Sequence, residues 1–307
     1  MLTRGNTSLR TALTALFMCA ALVLVGCSSG AEDKPPKKSN APSTPSAPKE
    51  RPRPGDQKVT FTWDGQKRTY TVHAPPGYTP DRPLPLVITM HPFPSDGTFV
   101  TMLSGMSEKA DKENFLVAYP DGIDGGLNAL SCCGGEDDIG FLRTLTKRLV
   151  DTWNADPERI YATGISNGGD MSFKLAVELS DTFAAIAPVS GGYTGNVTND
   201  KTYLPKSPVS VITFIGGNDN YYGAFDTGIK AWQQRLKCKA GTPAKLKQRA
   251  TRTSAKCGDG TDVVTYRIPE MGHHWPGGYA DMAYRDSPVN ATDLMWEFFA
   301  AHPKKKS

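Results

Sequence analysis

The sequence predicts an α/β fold: a mostly parallel sheet, a leading antiparallel hairpin, and helices on both faces. Three observations carry this. Short apolar runs alternate with segments of helical spacing from residue 84 to residue 300, the mark of parallel strands joined by helices. Two runs of strict alternation flank Asp64-Gly65 before them, which reads as a hairpin. In the middle, an apolar strand passes through Gly164-Ile165-Ser166-Asn167-Gly168 into a helix.

The elements follow in order. Val59–Trp63 and Arg68–His73 are the two arms of the hairpin. Leu84–Met90 is almost continuously apolar, as a strand covered on both faces must be. Thr101–Lys112 has helical spacing, and Phe115–Tyr119 is a second buried strand. Ile139, Leu142, Leu145 and Leu149 mark one face of the next helix. Ile160, Tyr161 and Ala162 form the strand before the sharp turn, and Met171, Leu175 and Leu179 line the helix after it. Then come strands at Phe183–Val189 and Val209–Ile215, a helix at Ala224–Leu236, a strand at Asp262–Ile268 and a last helix at Val289–Ala300. This order fits the α/β-hydrolase architecture, and no internal repeat is visible.

The 307 residues suffice for one large α/β domain with appendages. Arg4 and Arg10 precede an apolar stretch from Ala12 to Val25. That is the layout of a signal segment, and the stretch is short for a membrane span. It ends in Leu24-Val25-Gly26-Cys27, which resembles the bacterial lipobox. The resemblance implies a signal peptide at 1–26 and a lipid on Cys27, which would moor the chain to the outer face of the membrane. Residues 27–56 are rich in Pro, Ser and Lys, cannot build a core, and read as a solvated tether. The catalytic domain is expected at 57–302, and 303–307 form a basic tail. The net charge of +4 sits largely in the tether and tail, which argues against a nucleic-acid partner. A monomer is expected.

The turn at Gly164–Gly168 reads as a nucleophile elbow, in which a strand-to-helix bend thrusts a serine hydroxyl above the sheet edge. A serine needs a base to take its proton, and the base needs a carboxylate to orient it. Of the five histidines, His73 and His91 precede the elbow and His302 lies in the basic tail. His273 and His274 follow a strand after the elbow, where the base belongs, and spacing alone does not choose between them. The acid should follow the strand between serine and histidine. Asp219, in Gly216-Gly217-Asn218-Asp219, stands there; Asp226 is the reserve. A turn role for Asp219 is the blander alternative.

Several stretches resemble the polyhydroxybutyrate depolymerase and feruloyl esterase group of α/β-hydrolases, including actinobacterial lipoprotein members. They are Asp156–Tyr161 leading into Gly164–Met171, Asn128–Gly134 followed by Asp137–Phe141, Gly272-His273-x-Trp275-Pro276-Gly277, and Trp296–Phe299. Together they cover nearly all of 57–302. The resemblance implies that His273, directly after the glycine, is the base. It also implies an esterase that needs no cofactor or metal and acts on carboxylic esters. Feruloyl or acetyl esters of polysaccharide, or short hydroxyalkanoate oligomers, are the substrates expected. A lipid-anchored binding protein on an inactive fold, or a peptidase on the same scaffold, are the other readings.

An oxyanion hole needs two N–H donors. The first falls to Asn167, just after the serine. The second belongs to the loop after the first buried strand, where the group has His-Gly and this chain has His91-Pro92-Phe93-Pro94. Proline has no N–H, so Phe93 takes this place. Tyr221, Tyr222 and Trp275 are pocket candidates because they neighbour the acid and base; surface or core packing is equally open. Asp137 or Asp138 is expected to cap a helix, with Asp138 also a candidate near the site. With Cys19 removed and Cys27 lipidated, Cys132, Cys133, Cys238 and Cys257 remain. An even number outside the cytoplasm suggests disulfides. Cys238–Cys257 and Cys132–Cys133 are the pairing expected, with crossing of the vicinal pair to distant partners as the alternative. No spacing suggests zinc.

Overall fold

The computed structural model describes residues 51–304. The expected signal segment, Cys27, residues 28–50 of the tether and residues 305–307 lie outside the described residues. Among the described residues no helix is long and apolar enough to cross a membrane.

The hairpin forms as expected: β1 (Gly55–Trp63) pairs antiparallel with β2 (Gln66–Ala74). Asp64 and Gly65 both take positive φ, 48° and 75°, the twist that tight hairpin turns require. Next come β3 (Leu84–Met90), α1 (Gly97–Ser104), α2 (Met106–Glu113) and β4 (Leu116–Pro120). The single helix expected at Thr101–Lys112 is thus two. Gly105 breaks it in the left-handed region, at φ 61°. A side chain there would meet the Tyr279 ring at 2.3 Å, so the break is built around glycine.

The chain continues through α3 (Asp138–Trp153), β5 (Ala155–Ile165), α4 (Asn167–Glu178), β6 (Ala185–Val189), β7 (Ser210–Gly216) and α5 (Tyr222–Arg235). Asp137 is the residue that caps α3, accepting the Gly140 N–H at 2.9 Å. Short edge strands β8 (Lys239–Ala240) and β9 (Ala244–Lys245) precede β10 (Thr251–Lys256) and β11 (Asp262–Ile268). A small pair, β12 (Trp275–Pro276) and β13 (Ala283–Tyr284), stands apart before α6 (Ala291–Ala301). The large sheet runs β1-β2-β4-β3-β5-β6-β7-β11-β10-β8, with β9 also paired to β10. From β4 to β11 neighbouring strands are parallel, and both margins are antiparallel.

Two apolar layers flank the sheet. Leu86, Ile88 and Met90 of β3 face one layer, with Leu142, Leu145, Leu149 and Trp153 of α3 and Met171 and Leu175 of α4. Val87 faces the other, with Leu103, Met106, Met295 and Phe299. Alternation in a strand sends neighbouring side chains to opposite faces, so β3 must be apolar throughout. Each side chain so buried contributes roughly 2 kcal/mol. This three-layer frame holds the C-terminal ends of β3, β5, β7 and β11 along one edge, where loops can converge.

Cys238 joins Cys257, tying the end of α5 to the end of β10. Cys132 joins its neighbour Cys133.

Candidate active site

Ser166 sits between β5 and α4 with φ 56° and ψ −119°. Few residues other than glycine hold a positive φ, and such strain collects at functional turns. The turn is held by the Ser166 N–H on the Val189 carbonyl at 3.0 Å and by the Asp170 N–H on the Ser166 carbonyl at 2.9 Å. The flanking glycines are sterically required. A Cβ on Gly164 or Gly168 would lie 2.6 or 2.3 Å from the Met90 carbonyl oxygen.

Asp219 and His273 reach the same edge from β7 and β11. The Gly217 N–H donates to the Ile268 carbonyl and the Asn218 N–H to the Met271 carbonyl, each at 2.9 Å. These bonds lock the two loops side by side. Nδ1 of His273 lies 2.8 Å from Oδ2 of Asp219, whose side chain is wholly buried. The other carboxylate oxygen accepts the Tyr221 N–H at 2.9 Å. With Nδ1 engaged, Nε2 is the ring nitrogen left for the cleft. His274 does not line the cleft with His273, and its main-chain carbonyl receives the Ser190 hydroxyl at 3.1 Å. Asp226, the reserve acid, pairs with Arg267 and Lys230, each at 2.7 Å.

A cleft of about 400 Å³ opens over these residues. Ser166 and His273 line it, with Phe93, Tyr221, Phe225 and the Cys132–Cys133 pair as further walls. Asp170, Ser131 and Thr194 form a polar patch in it. A larger hollow of about 530 Å³ holds His302 and Asp262. There Nδ1 of His302 lies 2.7 Å from the Phe298 carbonyl and Nε2 2.9 Å from Asp262. Both ring nitrogens are engaged, so this His-Asp pair has no nitrogen free to act as a base, and the smaller cleft is the candidate site.

Of the pocket candidates, Tyr221 borders the cleft, with its ring 5.7 Å from that of His273. Trp275 does not. It is fully buried, and its indole N–H donates to Thr292 at 3.1 Å. Tyr222 is half-buried and packs toward Ile215, Phe225 and Ile229. Adjacency to acid or base did not place these two in the cleft, because Trp275 is drawn into the buried layer with Met295 and Tyr222 into the cluster around Ile215.

Asn167 opens α4, where N–H groups lack intrahelical acceptors. Its side chain clasps the 127–133 loop. Oδ1 accepts the Leu127 N–H at 3.0 Å, and Nδ2 donates to the Leu127 and Cys132 carbonyls at 2.9 and 3.0 Å. Phe93 borders the cleft, and among the described residues no main-chain acceptor takes its N–H. The loop carrying Phe93 is fixed by His91, which is completely buried. Nε2 of His91 accepts the Gly122 N–H at 2.9 Å, so the proton is on Nδ1, which donates to the Pro92 carbonyl at 2.7 Å. Burial holds this imidazole below the ordinary histidine pKa, against the opposing pull of the Pro92 carbonyl and the Asp121 carboxylate.

Asp138, a candidate near the site, and two residues outside the sequence expectation, Arg68 and Asp170, complete the surroundings. Arg68 and Asp138 form an ion pair with both side chains 1% exposed. Asp138 also accepts the Asn128 N–H at 2.6 Å, anchoring the loop that Asn167 clasps. Its place is therefore behind the pocket wall. Asp170 is nine-tenths buried or more, and burial pushes its carboxyl up, partly offset by the Ser131 hydroxyl and the Gly192 N–H. Its position four residues after Ser166 was the available signal, since that spacing shares a helix face.

No protein-family model matches the chain. NocK of Nocardia uniformis subsp. tsuyamanensis, named an esterase, is 28% identical over 323 aligned positions, covering 89% of this chain and 92% of that one. Feruloyl esterase B of Piromyces equi is 32% identical over 157 positions. That match spans half of this chain and only 29% of the relative's length. Among solved structures, the acetyl xylan esterase from Aspergillus awamori superposes with a TM-score of 0.60 at 16% identity, covering 80% of this chain and 99% of that one. Strand order, elbow and relatives agree: the chain has the α/β-hydrolase fold and is an ester hydrolase, similar in sequence to proteins named feruloyl and acetylxylan esterase.

Proposed function

We propose that the chain is an extracytoplasmic, lipid-anchored serine esterase that works through Ser166, His273 and Asp219. The observation that carries the reading is the 2.8 Å contact of His273 Nδ1 with the buried Asp219, beside a cleft that Ser166 also lines. Nε2 of His273 takes the Ser166 proton as Oγ attacks the ester carbonyl. The developing oxyanion is met by the N–H groups of Asn167 and Phe93. The imidazolium then gives its proton to the leaving alkoxide, which departs as the alcohol. Water, deprotonated by the same nitrogen, attacks the acyl-enzyme and releases the acid, restoring the serine. Asp219 holds His273 in the tautomer this shuttle needs and balances its positive charge.

The working domain is 57–302. The signal segment at 1–26, the lipid on Cys27 and the tether to residue 56 would hold the cleft outside the cell, consistent with disulfides at Cys238–Cys257 and Cys132–Cys133. The substrates are small or oligomeric carboxylic esters: feruloyl or acetyl groups on polysaccharide, or short hydroxyalkanoates. The protein acts as a monomer. The test is hydrolysis of a panel of aromatic, acetyl and hydroxybutyryl esters by the full chain beside Ser166→Ala. Hydrolysis by the wild type alone supports the reading. Equal inactivity of both on the whole panel favours a binding protein, and cleavage of amides in place of esters favours a peptidase.

A further inference from the structure

The cleft contains a buried carboxylate that the proton relay does not use. Asp170 is 5% exposed and sits one helical turn after Ser166. Its Oδ1 accepts the Gly192 N–H at 2.8 Å. Its Oδ2 receives the Ser131 hydroxyl and, at 3.4 Å, the Thr194 hydroxyl. Burial raises its pKa, and the opposing influences include these bonds and the charge of His273. The fold thus keeps an acid where a neutral group would be cheaper, and keeps it at the reaction site. Perturbed groups with that placement are candidates for function.

The hydrogen-bond inventory says what the patch offers a ligand. A hydroxyl has one proton and two lone pairs. Ser131 and Thr194 direct their protons at Asp170, so toward the cleft they present lone pairs only. Around them the walls are Phe93, Tyr221, Phe225 and the vicinal disulfide. A pocket of apolar walls with one polar patch fixes a ligand by what that patch accepts. This patch accepts a donor. An ether or carbonyl oxygen placed there meets lone pairs, and a bare methylene displaces water without replacing its hydrogen bonds.

Building on the esterase reading above, we propose that Asp170, Ser131 and Thr194 form a specificity subsite that selects esters bearing a free hydroxyl over their deoxy and O-methyl forms. Asp170 sets the polarity of the patch by fixing both neighbouring protons. Ser131 and Thr194 make the contact.

The experiment uses the full chain and matched esters. One arm places the group on the acyl side: 4-nitrophenyl butanoate, 3-hydroxybutanoate and 3-methoxybutanoate. The other places it on the alcohol side: ethyl, 2-hydroxyethyl and 2-methoxyethyl acetate. In at least one arm the wild type is expected to favour the hydroxy ester by about tenfold in kcat/KM, as one satisfied hydrogen bond to such a patch implies. Thr194→Val is expected to bring that ratio down to about two or less. Asp170→Asn releases the neighbouring protons and is expected to shift the preference toward the methoxy ester, a change of sign that a merely structural role does not produce. If Asp170→Asn does not fold, Thr194→Val and Ser131→Ala decide alone. A wild-type ratio near one in both arms overturns the subsite and leaves the esterase reading standing. Full preference retained in the variants also overturns it. A wild type that cleaves none of the six esters overturns both.

Discussion

Asn167 and Leu127 face each other across 40 residues of chain and exchange two hydrogen bonds, amide to peptide, at 3.0 and 2.9 Å. The side chain after Ser166 thus carries the pocket wall. Its Nδ2 must be a donor, because two carbonyls, of Leu127 and Cys132, point at it. Asn167→Asp keeps the shape and puts an oxygen against both. It should cost about 2 kcal/mol or more in urea melts, more than Asn167→Ala, and lower kcat/KM with it.

Asp219 should matter to turnover far more than to binding. Asp219→Asn leaves the geometry but lets His273 adopt the wrong tautomer. The expected loss in kcat is about 10³- to 10⁴-fold, with KM within a few fold of wild type. Steady-state kinetics on one chromogenic ester would measure it. A loss confined to KM would contradict the assigned role.

The buried Arg68–Asp138 pair should show strong coupling. Among the described residues Nε and Nη1 of Arg68 have no hydrogen-bond partner, and the guanidinium lies 3.7 Å from the Phe141 ring centre. Arg68→Met or Asp138→Asn alone leaves one buried group unpaired and should cost about 3 kcal/mol. The double variant should cost less than the sum by more than about 1 kcal/mol, read from denaturant midpoints.

His91 gives a pH dependence with a defined sign. Its folded-state pKa is depressed by burial. Below the ordinary histidine value of about 6.5 the unfolded chain takes up a proton that the folded chain refuses. The stability tied to neutral His91 is therefore complete above that pH and is lost as pH falls toward the folded-state value. His91→Gln removes the titration, so its urea midpoint should fall less than that of the wild type between pH 7.5 and 5.

The parts legible in the sequence were those with local signatures. The elbow was readable because Gly164 and Gly168 answer a steric demand at fixed spacing. Asp219 and the His273-His274 pair each follow an apolar strand after the serine, and only the family resemblance singled out His273, the histidine that lies against Asp219. The hairpin was readable from Asp64-Gly65. What escaped depends on distant pairing. Arg68 lies in an alternating strand, and only the tertiary fold brings it to Asp138. Thr251–Lys256 is a polar strand with no apolar run to mark it, because near the sheet margin, with only the two-residue strands β8 and β9 beyond it, it is only partly buried. Trp275 and Tyr222 were placed by adjacency, yet their side chains turn into packing. Asp170 stood in view, but its partners Ser131, Gly192 and Thr194 come from elsewhere in the chain.

In the proposed mechanism His273 makes Ser166 nucleophilic. The most direct measurement is labelling of the full chain with a fluorophosphonate, followed by peptide mass mapping. One adduct is expected, on the peptide containing Ser166, formed rapidly in the wild type and slowed strongly in His273→Ala. An adduct on another residue, or ester hydrolysis that persists in Ser166→Ala, would contradict it.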